Sequence, residues 1–146
     1  MKTIVVGFDG SESAERALAR AAEFAAALRA GLVVASVAVP TVPAPGIEAA
    51  LPTAPADFAA AAIHELEGSE RNLERARALL RERGLEAEFV SEAGTPADRI
   101  VAVAEQRGAD LIVVGSSEPG FLERLLTGSV SEDVSRSTRR DVLIVH

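Results

Sequence analysis

The sequence predicts an α/β fold, a doubly wound and mostly parallel five-stranded sheet with helices on both faces, and three observations carry this. Short β-branched runs alternate with longer segments whose apolar residues recur at helical spacing, in the order β-α-β-α-β-α-β-α-β. The runs TIVVGF, LVVASVAV and LIVV are apolar almost throughout, as expected of strands covered on both faces. The helical segments carry start and stop signals of capping residues, Pro and Gly. At 146 residues and 48% hydrophobic, the chain suits one domain over residues 1–146 with one core.

The first strand covers residues 3–8 and ends at Asp9-Gly10. A helix starts at Asp9 or Ser11, with Ala14, Ala17, Leu18, Ala21, Phe24, Ala25 and Leu28 as its stripe and Gly31 as its stop. Residues 32–39 form the second strand. Residues 40–55 hold five of the seven prolines and read as an irregular, apolar loop that either folds back on the body or covers a site. The next helix, residues 56–83, places Ile63, Leu66, Leu73, Ala76, Leu79 and Leu80 on its stripe and pairs Glu67 with Arg71 outside. Residues 85–91 make a more polar strand suited to a sheet edge. Thr95 then caps a helix with Pro96 at N1 and Asp98 at N3, running to Gln106 and stopping at Gly108. Residues 111–114 are a buried strand, residues 115–127 a loop, and Ser129 with Glu132 a capping box for a helix to Ser137. Residues 141–145 close the chain as the last strand.

Net charge of −7 and a pI near 4.9 make nucleic acid and anionic membrane poor partners, because such a surface releases no counterions, and neither is expected. The absence of cysteine excludes disulfides, thiolate chemistry and cysteine zinc sites. His64 and His146 lie far apart and read as surface residues, so no metal site is expected. The N-terminus has no signal-peptide architecture and no apolar run approaches a membrane span, so a cytoplasmic protein without membrane insertion is expected.

In a doubly wound sheet, ligands bind beyond the carboxyl ends of the strands, at the switch point. That rule selects residues 7–11, 37–40 and 115–129. The last loop reads G-S-S-E-P-G-F-L-E-R-L-L-T-G-S-V-S and enters a helix at Gly128-Ser129. Unpaired amides and the positive dipole end suit a phosphate there, and an ordinary Gly turn before a capped helix fits equally. Asp9 suits a ribose hydroxyl or a metal ion, or it caps the first helix with Glu12 at N3. No G-x-x-x-x-G-K-[ST], G-x-G-x-x-G or G-x-S-x-G is present, and Lys2 is the only lysine.

IVVGFDGSESAERAL, GTPADRIVAVAEQRGADLIVVGS, LERLLTGSVSEDV and DVLIVH together resemble the universal stress protein family over essentially the whole chain. The resemblance implies a Rossmann-like sheet of order 3-2-1-4-5 and a homodimer in which the last strand, Val142, Leu143, Ile144 and Val145, pairs across the axis. It also implies an adenine-nucleotide cleft for ATP or AMP, with Mg arriving on the nucleotide. Asp9 then lies near the ribose and the Val37 backbone near adenine, with Gly7, Val114 and Val130 lining the cleft. Gly115, Ser116, Gly128 and Ser129 fall in the phosphate motif, whose second glycine is replaced by Glu118. A carboxylate about 4 Å from a phosphate charge costs on the order of 4 kcal/mol at an effective dielectric near 20, close to a thousandfold in affinity. A side chain turned to solvent, a bridging cation, or a ligand with fewer phosphates would relieve that cost.

Three functions follow from these residues. The first is a dimeric stress-response protein that binds an adenine nucleotide as a sensor or switch. The second is a nucleotide-independent interaction protein acting through its dimer surface, for which Glu118 is the warrant. The third, a slow ATP hydrolase with Arg124 or Arg136 near the phosphates, lacks a phosphate-clamping lysine and a positioned base beyond Asp9, so no catalytic residue is expected.

Overall fold

Runs of Val and Ile stiffen the backbone toward extended conformations, and the computed structural model assembles four such runs and one more polar strand into one parallel sheet. The structure describes residues 1–39, 54–116 and 130–146, with residues 54–62 given by backbone only. The strands are β1 (Thr3–Gly7), β2 (Gly31–Ala38), β3 (Glu88–Ala93), β4 (Leu111–Gly115) and β5 (Asp141–Val145). The helices are α1 (Glu12–Leu28), α2 (Ala54–Glu82), α3 (Pro96–Gln106) and α4 (Val130–Ser137). The sheet order is β3-β2-β1-β4-β5, with Ile4 of β1 registered against Leu32 on one side and Leu111 on the other.

The two-residue side-chain period divides the core into two layers. Ile4, Val6, Val34 and Val113 pack with Ala17, Leu18 and Ala21 of α1 and Leu73, Ala76 and Leu80 of α2. Val5, Val33, Ile112 and Val114 pack with Ile100, Val103 and Ala104 of α3 and Val134 of α4. Alanine on the helices lets them sit close to the branched strands, which is how a chain with only 3% aromatics fills its core.

Some boundaries differ from the sequence expectation. Arg29, at φ 52°, ends α1 in the left-handed conformation with its N–H on the Ala25 carbonyl, and Gly31 opens β2 instead of stopping the helix. The third strand begins at Glu88 rather than at residue 85, because its pairing with β2 starts at Val33 opposite Glu88 and runs on to Ala38 opposite Ala93. Thr95 holds the cap position before Pro96, yet its side chain makes no capping bond, and its carbonyl accepts the Arg99 N–H at 3.0 Å.

The largest difference is in α2. Ile63 and Leu66, expected on the buried stripe, are 55% and 46% exposed. Leu73, Ala76 and Leu80 are buried as expected, and above them the inward face is polar, with Ser69 buried and Asn72 and Glu65 lining a cavity. A helix of 29 residues is about 43 Å long, whereas the eight-residue β2 reaches about 26 Å. The amino-terminal part of α2 therefore runs past the carboxyl end of the sheet and has no strand to cover. Glu67 and Arg71, expected to pair, are both exposed, and among the described residues no ion pair joins them.

Candidate functional site

From β1 the chain winds one way to β2, and from β4 the other way to β5, so the carboxyl ends of β1 and β4 border a crevice that no crossover fills. A cavity of about 480 Å³ opens there, within the range of small-molecule sites. Gly7, Val114 and Gly115 form its floor, and Val37, Pro96 and Ile100 give it an apolar wall. Asp9, Ser11 and Ser13 stand at the start of α1, Glu65 and Asn72 descend from α2, and Val130 and Ser131 close the far side.

The local chain explains how the polar groups are aimed. Ser11 is the N-cap of α1, its Oγ accepting the Ala14 N–H at 3.2 Å. That removes the alternative in which Asp9 caps the helix. Asp9 Oδ1 instead accepts the Ser11 N–H at 2.9 Å, a tight local turn that fixes the carboxylate at the cavity rim. Among the described residues Asp9 makes no other hydrogen bond, so its second oxygen is available to a ligand. Ser116 donates its N–H to the Val145 carbonyl at 2.7 Å, tying the start of the phosphate-motif loop to β5.

Gly115 has a structural duty that the motif does not reveal. A Cβ there would lie 2.6 Å from the carbonyl carbon and oxygen of Ser13, in the first turn of α1. A Cβ on Gly7 would lie 2.7 Å from Ile100 Cδ1. Both glycines let a helix close against a strand end at the cavity floor.

Of the residues expected at the site from the sequence, Gly7, Asp9, Val37, Val114, Gly115, Ser116 and Val130 line this one cavity. Gly128, Ser129, Glu118, Arg124 and residues 40–53 of the proline-rich stretch lie outside the described residues. Arg136 belongs to the opposite end of α4, beside Glu105, Arg139 and Arg140, and lies 3.9 Å from Glu132. Asn72 and Glu65 of α2 went unrecognised in the sequence. Their signal was present as polar residues recurring at inward helical spacing above Ala76 and Leu80. Among the described residues no group of three or more His, Cys, Asp or Glu could hold a metal ion, and no helix is long and apolar enough to cross a membrane.

Comparison with known proteins agrees with this architecture. The model of the universal stress protein family matches residues 1–146. Universal stress protein Rv1636 of Mycobacterium tuberculosis is 36% identical over 148 residues, spanning 99% of this chain and 96% of that protein. Universal stress protein MJ0531 of Methanocaldococcus jannaschii is 35% identical, spanning 99% of this chain and 81% of its own. Among solved structures, a universal stress protein in complex with cAMP is 34% identical with a TM-score of 0.72, covering 99% of this chain and 97% of that one. The MJ0577 protein superposes with a TM-score of 0.77 at 26% identity, covering 99% and 94%. Matched from end to end by sequence and sharing the strand order 3-2-1-4-5, this chain belongs to the universal stress protein family.

Proposed function

We propose that this protein is a homodimeric stress-response protein that binds an adenine nucleotide in the cavity at the ends of β1 and β4, as a sensor or switch rather than as a catalyst. The observation that carries the reading is a cavity of about 480 Å³ with an apolar wall, with the Asp9 carboxylate fixed at its rim and Glu65 also lining it. A flat base fits between Val37, Pro96 and Ile100, and Asp9 accepts hydrogen bonds from sugar hydroxyls. The family motif assigns the phosphate end to Gly115, Ser116, Gly128 and Ser129, and of the cavity's lining Val114, Gly115, Ser116 and Val130 lie on that side. The relative solved with cAMP, 34% identical over 99% of this chain, supports the same ligand class.

Glu118 sets the preference within that class. Its charge penalises each added phosphate, so AMP or cAMP binds more tightly than ATP, and Mg narrows the gap by neutralising the phosphates. The apolar outer strand β5, with Val142, Leu143, Ile144 and Val145 half-buried, is the surface for the second copy.

A native mass spectrum tests dimer and ligand together, with an expected mass of twice 15.2 kDa plus retained nucleotide. Calorimetry should give tighter binding of AMP or cAMP than of ATP, and Glu118→Gly should raise ATP affinity by more than tenfold while leaving AMP nearly unchanged. A wild-type protein that binds no adenine nucleotide, with or without magnesium, overturns the nucleotide reading and favours the nucleotide-independent one.

A further inference from the structure

The inward stripe of α2 changes character along its length. Its lower part, Ala76 and Leu80, is buried in the core, whereas Asn72 and Glu65 above face the cavity. A carboxamide is a poor choice for covering a sheet unless something polar meets it, because a buried amide without a partner is costly. Asn72 is half-buried, and among the described residues it has no hydrogen-bond partner.

Its position is set by a glycine. Gly10 has φ +82°, and a Cβ at that residue would lie 2.6 Å from Asn72 Oδ1. The bare backbone of Gly10 thus lets the carboxamide settle directly on the loop that carries Asp9. Asp9 precedes Gly10 in the chain, so carboxylate and carboxamide frame the same stretch of rim. Their chemistries are complementary, since a carboxylate only accepts, whereas a carboxamide both donates and accepts. A sugar hydroxyl, which both donates and accepts, is a group that can satisfy both at once.

We propose that Asn72 is a specificity-determining residue, hydrogen-bonding the sugar hydroxyls of a ribonucleoside ligand beside Asp9 and so selecting ribose over deoxyribose. The proposal rests on the nucleotide reading above. A site built to pair a hydroxyl rejects the analogue without it, because its own polar groups are then left unpaired.

The test is calorimetry with AMP, 2′-deoxy-AMP and 3′-deoxy-AMP on the full chain, wild type and Asn72→Ala. The wild type should prefer AMP over at least one deoxy analogue by about five- to tenfold, the worth of one hydrogen bond. Asn72→Ala should weaken AMP by about that factor and that analogue by less than twofold, collapsing the ratio. Asn72→Leu, with the same number and branching of side-chain heavy atoms, replaces it if the Ala variant melts early. Equal loss for every ligand would show that Asn72 only supports the Asp9 loop and overturns the proposal, as does an unchanged ratio. A wild type that binds none of the three overturns the nucleotide reading and this inference with it.

Discussion

Gly115 and Asp9 show how single residues serve the fold and the cavity together. Gly115 belongs to a motif associated with phosphate, and its missing side chain is also what lets the first turn of α1 reach β4. A methyl group there would meet backbone rather than a flexible side chain, so α1 or β4 must shift. Gly115→Ala should therefore destabilise the protein by about 2 kcal/mol, as overpacking does, and lower Tm by roughly 6 °C in a thermal melt, with or without ligand. An unchanged Tm would mean that α1 yields freely. Ser36 presents the reverse case. Its Oγ is buried with no partner among the described residues, although Ser91 beside it in register is hydrogen-bonded to Ser69 at 3.1 Å. Neither the packing duty of Gly115 nor the orphaned hydroxyl of Ser36 was legible in the sequence, because each depends on an atom contributed by another element.

Helix α2 shows what decides burial at the level of an element. Apolar periodicity assigned Ile63 and Leu66 to the core, and both are exposed, while Leu73, about two turns beyond Leu66, is 4% exposed. The helix outreaches the strands it covers, so the same pattern means core at one end and free surface at the other. Leu73→Ala should cost about 2–5 kcal/mol, whereas Leu66→Glu should change stability by less than about 0.5 kcal/mol. Denaturant unfolding of both variants checks this, and a large loss from Leu66→Glu would show that another surface covers the helix. The short elements were better predicted. Pro96 starts α3 at the first helical position, and β3 is an edge strand with half its residues exposed, as its polar alternation suggested.

Across the whole molecule, exposed charges join elements that lie far apart in the chain. Asp110 accepts the Lys2 N–H at 2.7 Å and the Thr3 N–H at 3.1 Å, tying the start of β4 to the start of β1. The Lys2 and Thr3 amides hold its carboxyl below the usual carboxylate range, and the hydrogen bond from Arg107 does the same for Glu88. A lowered folded pKa means stability that is present above the unfolded value, about 4 for these groups, and lost as pH falls through the lower folded value. Denaturation midpoints should therefore fall below about pH 4, and Asp110→Asn should flatten that fall while lowering the midpoint at neutral pH. An unaltered acid profile would show that these contacts are open in solution. By itself the sequence determined the alternation of strand and helix, the family, and the segments that meet at the switch point, because these follow from local periodicity and short motifs. Only the tertiary structure decided that Ser11 rather than Asp9 caps α1, that Gly115 is held by a packing contact, and that α2 brings Asn72 to the rim. The first turns on a local choice between two residues that could each cap the helix, and the other two on how one element lies against another, which the sequence pattern alone leaves open.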